Sequence, residues 1–148
     1  MELRLPKDFK EFLRLLAAQK VEYLLIGGFA VGYYGYPRAT NDIDVWIARN
    51  KENAERMTAV LRDFGFDTPE LSVDCFTQDK SIVRLGVAPM RIEVLTSISG
   101  VDFEDCYKAR VVDVLDGIEV SLISLTMLKV NKRASGRFKD LDDLEHLP

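Results

Sequence analysis

The chain has 148 residues, which suits one domain with a core of its own and no need of disulfides or a structural metal. Its formal net charge of −4 excludes a protein that coats nucleic acid with its whole surface, but leaves room for a local basic patch. Cys75 and Cys106 form no C-x-x-C pair and lie near no histidine, so neither a zinc site nor a disulfide framework is expected. The charged N-terminus Met-Glu-Leu-Arg-Leu-Pro-Lys-Asp and the lack of any apolar run near ~18–20 residues predict a cytoplasmic protein without a membrane span.

Phe9, Phe12, Leu13, Leu15 and Leu16 recur at helical spacing and predict an amphipathic helix from Asp8 to Ala18. Glu22 to Ile26 is a short apolar strand that stops at Gly27-Gly28. Phe29 to Tyr34 reads as a short helix ended by Gly35, and Tyr36 to Asn41 as a loop around Pro37.

Asp42 to Ala48 alternates. Ile43, Val45 and Ile47 share one face, and Asp42, Asp44 and Trp46 the other, so a half-buried strand with two acids on its outer face is expected. A second amphipathic helix follows from Lys51 to Phe64, with Gly65 as its stop. Ile82–Val87 and Arg91–Thr96 read as a hairpin across Ala88-Pro89. A helix over Asp102–Ala109 precedes a second hairpin, Val111–Leu115 with Ile118–Leu122, turning at Asp116-Gly117. Ser124 caps a helix to about Lys132, and a last helix runs from about Lys139 to Leu147. The order predicts an α/β (α+β) chain: a small mixed sheet flanked by helices, one domain over 1–148, with the C-terminal helices (about 123–148) packed on its core.

Two acids at i and i+2 of a strand project the same way, ~6.5–7 Å apart. Such carboxylates repel unless a cation lies between them, and hard oxygen donors with an open side suit Mg²⁺ shared with substrate phosphates. An Asp-x-Asp pair alone is common on solvated strand edges. The prefix adds weight: Gly27-Gly28, between a strand and a helix, lets backbone N–H groups approach an anion closely. A phosphate cradle beside a two-carboxylate metal site is what nucleoside triphosphate chemistry requires.

Leu25-Ile26-Gly27-Gly28, a thirteen-residue spacer and Asp42-Ile43-Asp44-Val45 together resemble the signature of the DNA polymerase β-like nucleotidyltransferase superfamily. Gly27-Gly28-Phe29-Ala30-Val31, Gly35, Arg38, Thr40 and Asp42-Ile43-Asp44 are similar to bacterial nucleotidyltransferases related to the AbiEii toxins. The run Asn131-Lys132-Arg133-Ala134-Ser135-Gly136-Arg137-Phe138-Lys139-Asp140-Leu141-Asp142-Asp143-Leu144 resembles the second block of that group. Both blocks occur in the family's order and span nearly the whole chain. Phe29 stands where the superfamily signature continues after Gly-Gly, so a serine hydroxyl is missing there.

The resemblance implies a nucleotidyltransferase fold and a Mg²⁺-dependent transfer of a nucleoside monophosphate from a nucleoside triphosphate to a hydroxyl. It implies two Mg²⁺ ions, with Mn²⁺ as a substitute, held by Asp42, Asp44 and a third acid. Glu93 matches that acid best, since Arg91, Glu93 and Leu95 share a strand face; Asp74 and Glu119 are weaker matches. Gly27, Gly28, Arg38, Thr40 and Lys132 are the implied nucleotide contacts. Lys132 belongs to a basic cluster with Lys129, Arg133, Arg137 and Lys139, for which a solvated helix face is the commoner reading. Asp140 and Asp143 are expected to brace the last helix or hold Lys132 and Arg137. Tyr33, Tyr34 and Tyr36 are expected to pack, and His146 has no assigned role.

The acceptor stays open. The resemblance implies RNA (tRNA in particular) or a protein, within a toxin–antitoxin system, and the short chain suggests a homodimer or partner protein completing the pocket. The alternatives are a non-catalytic nucleotide-binding regulatory module and an antibiotic-modifying nucleotidyltransferase.

Overall fold

Alternation along the strands decides how the layers are arranged. The computed structural model describes residues 5–36, 42–87 and 90–148. Helix α1 (Lys7–Ala18) leads into strand β1 (Tyr23–Ile26), helix α2 (Gly27–Tyr33), strand β2 (Asp42–Ile47) and helix α3 (Lys51–Phe64). Strands β3 (Ile82–Val87) and β4 (Met90–Leu95) follow, then α4 (Phe103–Lys108), β5 (Val111–Leu115), β6 (Ile118–Leu122), α5 (Leu125–Ser135) and α6 (Phe138–His146). A 3₁₀ turn, Val73–Phe76, is an element that periodicity does not reveal; it buries Phe76 against the core.

Among the described residues six strands form one mixed sheet in the order β3-β4-β2-β1-β6-β5. β1 runs antiparallel to β2 and parallel to β6; β2 runs parallel to β4; β3 with β4 and β5 with β6 are antiparallel pairs. Tyr23, Leu25, Ile43, Val45 and Ile47 point into one core, shared with Phe12, Leu13 and Leu16 of α1 and Met57, Val60 and Leu61 of α3. Leu24, Ile26 and Trp46 point into a second core, shared with Ala30 and Val31 of α2, Cys106 of α4 and Leu128 of α5.

The second core corrects the expectation of a half-buried β2. Trp46 is only 1 % exposed, so the face that carries the acids is covered by helices at its far end and opens only around Asp42 and Asp44. A strand buried on both faces loses its polar alternation, and only the two acids here keep it.

Local chemistry sets the ends of the helices. Asn50 and Ser124 cap α3 and α5 by accepting from the N–H groups of Asn53 and Met127. Gly65 and Gly136 end those helices in the left-handed region, as a C-terminal glycine does. α2 begins at Gly27 rather than Phe29, so the glycine pair lies inside its first turn. Among the described residues no helix is long and apolar enough to cross a membrane.

Candidate active site

The sheet order places the end of β1, the start of β2 and the middle of β4 side by side. In that register Asp44 of β2 lies opposite Ile26 of β1 on one side and Glu93 of β4 on the other, and Asp42 lies opposite Arg91. Neighbouring strands are ~4.8 Å apart, so paired residues on one face are in side-chain contact. Asp44 and Glu93 are close enough for the Glu93 charge to raise the cost of ionising Asp44, and a proton on one could be shared between them. The structure thus gathers Asp42, Asp44 and Glu93 at one place. Asp74 is exposed in the 3₁₀ turn, and Glu119 lies near the start of β6, away from the Gly27 end of β1.

Gly27 is shaped by Asp44. Its φ is +66°, a region that side chains disfavour, and a Cβ there would overlap Asp44 Oδ2. The glycine therefore lets the carboxylate lie against the backbone at the start of α2. Among the described residues no side chain caps that first turn. The expected outcome for Gly27→Ala is a loss of about 2 kcal/mol or more, from the left-handed φ plus the displaced carboxylate, read by thermal melting. Gly65→Ala is the control. Its φ is +118° with nothing within 4 Å of the added Cβ, so it carries backbone strain alone and leaves the acids in place.

The three acids sit under electrostatic tension. Burial, then the charge of Glu93 and the hydrogen bond with it, then Asp42, push the Asp44 carboxyl up to about 7, against the opposing pull of Lys139. Asp44 Oδ1 is buried and has no hydrogen-bond partner among the described residues. An orphaned carboxylate oxygen between two other acids is what a hard cation would satisfy, so the donor set fits a divalent ion such as Mg²⁺.

Two arginines that sequence reasoning passed over complete this face. Arg91 Nε donates to Asp42 Oδ1 at 2.9 Å, and Arg84 Nε donates to Glu93 Oε1 at 2.9 Å. Arg91 could have been read from its place two residues before Glu93; Arg84 needs the β3–β4 register, in which it lies opposite Glu93. Both guanidinium groups are well exposed. Asp42 and Glu93 are each paired with one of these arginines, and among the described residues no three acid, histidine or cysteine side chains are arranged as a metal cluster.

The C-terminal block divides between interior and surface. Lys132, expected at a phosphate, is only 5 % exposed. Its Nζ lies 3.0 Å from both Asp140 Oδ1 and Asp143 Oδ2. In this arrangement its ammonium joins α5 to α6 through Asp140 and Asp143. The residues after it turn outward: Arg137 Nε donates to Asp140 Oδ2 at 2.9 Å, and Ser135 Oγ donates to the same oxygen. Arg137 is raised chiefly by Asp140, and further by the charges of Asp44 and Glu93. Arg137 and Lys139 are thus the cations of this block whose fields reach the acids, whereas Lys129 bonds the Pro148 carbonyl oxygen.

The tyrosines knit the neighbourhood together. Tyr33 donates to Asp113 at 2.6 Å and Tyr34 to the Ile123 carbonyl at 2.6 Å. Tyr36 donates to Asp142 at 3.1 Å and stacks on His146 with ring centroids 4.0 Å apart. Arg38 and Thr40, expected near a phosphate, lie outside the described residues.

Solved structures share this architecture. A presumed nucleotidyltransferase from Thermotoga maritima superposes with a TM-score of 0.64 at 17 % identity, over 93 % of this chain and 88 % of that one. The chain adopts the nucleotidyltransferase fold. The lincosamide antibiotic adenylyltransferase LnuA, in its lincomycin-bound structure, matches with a TM-score of 0.62 at 16 % identity, over 96 % of this chain and 95 % of LnuA. An antigenic nucleotidyltransferase-like protein from Paracoccidioides brasiliensis matches with a TM-score of 0.57 at 18 % identity, over 93 % of this chain and 72 % of that one. No protein-family model matches the sequence, and no curated protein does.

Proposed function

We propose that the protein is a metal-dependent nucleotidyltransferase, which moves a nucleoside monophosphate from a nucleoside triphosphate to a hydroxyl. The observation that carries this reading is the strand register that sets Glu93 opposite Asp44, two residues from Asp42, beside Gly27-Gly28. The nucleotidyltransferase fold, shared over nearly the whole chain with LnuA, supports it.

Asp42, Asp44 and Glu93 would hold Mg²⁺. When bound, the metal would screen the triphosphate charge and lower the pKa of an attacking hydroxyl. The chain's own residues have separable roles. Gly27 and Gly28 offer backbone N–H groups to the phosphates. Glu93, opposite Asp44 in the strand register, would position the metal or take the proton from the acceptor hydroxyl. Arg137 and Lys139 supply positive charge near the acids, where pyrophosphate must leave. Lys132 acts one step back, by fixing the position of α6.

The acceptor divides into two readings. RNA or protein, with a toxin–antitoxin role, rests on the likeness of the two sequence blocks to the AbiEii-related group. A small-molecule hydroxyl is favoured by the likeness to LnuA, a lincosamide adenylyltransferase whose length this chain nearly equals.

The test incubates the protein with Mg²⁺, each nucleoside triphosphate labelled at the α-phosphate, and total RNA, lysate protein or lincosamides in turn. Transfer of α-label to one acceptor class, abolished by Asp42→Ala/Asp44→Ala, is the expected result. Transfer that survives the double substitution, or movement of a γ-label instead, contradicts the reading.

A further inference from the structure

The acid face of the sheet carries cations as well as acids. β3, β4 and β2 lie side by side, and their registers set two rows across that face. In one row Arg84 of β3 lies opposite Glu93 of β4, which lies opposite Asp44 of β2. In the next row, two residues along each strand, Gly86 lies opposite Arg91, which lies opposite Asp42. Residues two apart on a strand share a face, so two arginines and three acids meet on one side of three strands. Arg84 Nε donates to Glu93 Oε1 and Arg91 Nε donates to Asp42 Oδ1, each at 2.9 Å. The remaining acid is different: Asp44 Oδ1 is buried and has no hydrogen-bond partner among the described residues.

Pairing of opposite charges across strands favours this sheet. The two arginines nevertheless make poor structural braces. Their side chains are 68 % and 50 % exposed, and exposed ion pairs contribute little to stability. A divalent cation seeks the same carboxylate oxygens that these guanidinium groups hold. Where it binds, each arginine loses its partner yet keeps its strand position beside the acids. A triphosphate supplies a new partner, since the guanidinium fork matches phosphate oxygens with two parallel hydrogen bonds.

We propose that Arg84 and Arg91 bind the triphosphate of the nucleotide, and that they serve as counter-ions of the acids until it arrives. The inference rests on the nucleotidyltransferase reading above and names the side chains that hold the phosphates. Without nucleotide, the two arginines neutralise Glu93 and Asp42 and compete with a bare metal ion. With nucleotide, the metal takes the carboxylates and the arginines take the phosphates. Metal and nucleotide therefore strengthen each other's binding, by the same factor in both directions.

The experiment compares wild type with Arg84→Gln/Arg91→Gln and Arg84→Lys/Arg91→Lys. Arg56→Gln/Arg62→Gln is the control, which removes two charges from α3, on the other side of the sheet. Electron paramagnetic resonance reads Mn²⁺ binding without nucleotide, and calorimetry reads inorganic tripolyphosphate binding with Mg²⁺. The glutamine pair at 84 and 91 should bind Mn²⁺ several-fold more tightly, because its competitors are gone. It should bind tripolyphosphate roughly tenfold more weakly or worse. The lysine pair keeps the charge but loses the fork, so Mn²⁺ affinity should stay at the wild-type value while tripolyphosphate binding still weakens. Thermal melting checks the fold, and the lysine pair carries the test if the glutamine pair does not fold. Equal tripolyphosphate affinity in wild type and both pairs overturns the proposal, as does a loss matched by the α3 control. Weaker Mn²⁺ binding in the glutamine pair overturns it too, since the arginines would then support the acids rather than compete for them. Each of these outcomes leaves the nucleotidyltransferase reading in place. A wild type that binds neither Mn²⁺ nor any nucleoside triphosphate overturns both.

Discussion

Asp44→Asn should abolish nucleotidyl transfer, by about 10³-fold or more, while the metal-free protein melts at the same temperature or a few degrees higher. The loss of activity follows from removing the middle carboxylate of three that would neutralise the transition-state charge through a cation, an effect worth several kcal/mol. The gain in stability follows from the position of Asp44 in the fold. Its charge is disfavoured by burial and by both neighbouring acids, which is why its carboxyl is pushed up to about 7. Because the folded carboxyl holds its proton more tightly than an unfolded one, ionising it at about pH 8 weakens the fold. An amide of the same shape removes that repulsion. Adding Mg²⁺ should raise the melting temperature of the wild type and leave Asp44→Asn almost unmoved. A variant that melts well below wild type in metal-free buffer would show that the Asp44 carboxylate serves the fold rather than the site.

Lys132→Met should have the largest effect on stability, a loss of about 3–5 kcal/mol, because it strands Asp140 and Asp143 in the interior without their ammonium partner. For a chain of this length that is a drop on the order of 10 °C in melting temperature. The acid limb should change as well. Burial alone would raise the Asp140 carboxyl, but Arg137, Ser135 and Lys132 outweigh it and hold it well below the usual carboxylate range. A folded carboxyl that titrates below its unfolded value stabilises fully above about pH 4, and that contribution is lost as pH falls below it. Wild type should therefore lose melting temperature between about pH 4 and pH 2, and Lys132→Met should lose less over the same interval. Calorimetric scans across that interval check both effects. An unchanged melting temperature at neutral pH would mean that Lys132 is free for a ligand after all.

The parts of this molecule that were legible beforehand are those governed by one period at a time. Alternation on β2 separated Ile43, Val45 and Ile47 from Asp42 and Asp44, and the run Arg91-Ile92-Glu93 put Glu93 on a polar face. The mixed α/β fold followed from the order of such segments, and the solved nucleotidyltransferase structures share it. What escaped depends on pairing across the chain. Nothing local in Ile82–Val87 says that Arg84 lies opposite Glu93, because register is set by the partner strand. Trp46 sits on the acid face of β2 by alternation, yet only the packing of α2, α4 and α5 shows that this end of the face is covered.

Lys132 is the clearest case of a residue whose type misleads. Lysine is almost never fully buried unless paired. Its position in a basic run reads as a surface cation; Asp140 and Asp143 were readable as its holders, but its burial follows from the return of α6. Gly27 was legible as a glycine that permits close approach. Its partner in that approach is Asp44, which the antiparallel β1–β2 register brings opposite Ile26, one residue before the glycine. No local pattern in either segment reveals that pairing.

Whether the three acids bind a cation together with a nucleotide can be measured without any knowledge of the acceptor. Mn²⁺ binding, followed by electron paramagnetic resonance with and without a non-hydrolysable nucleoside triphosphate, reads it directly. Wild type should bind Mn²⁺ more tightly with nucleotide than without, and Asp44→Asn and Glu93→Gln should lose the nucleotide-dependent binding. Equal Mn²⁺ binding by wild type and Asp44→Asn, with nucleotide present, would refute the assignment of these acids to a metal–nucleotide site.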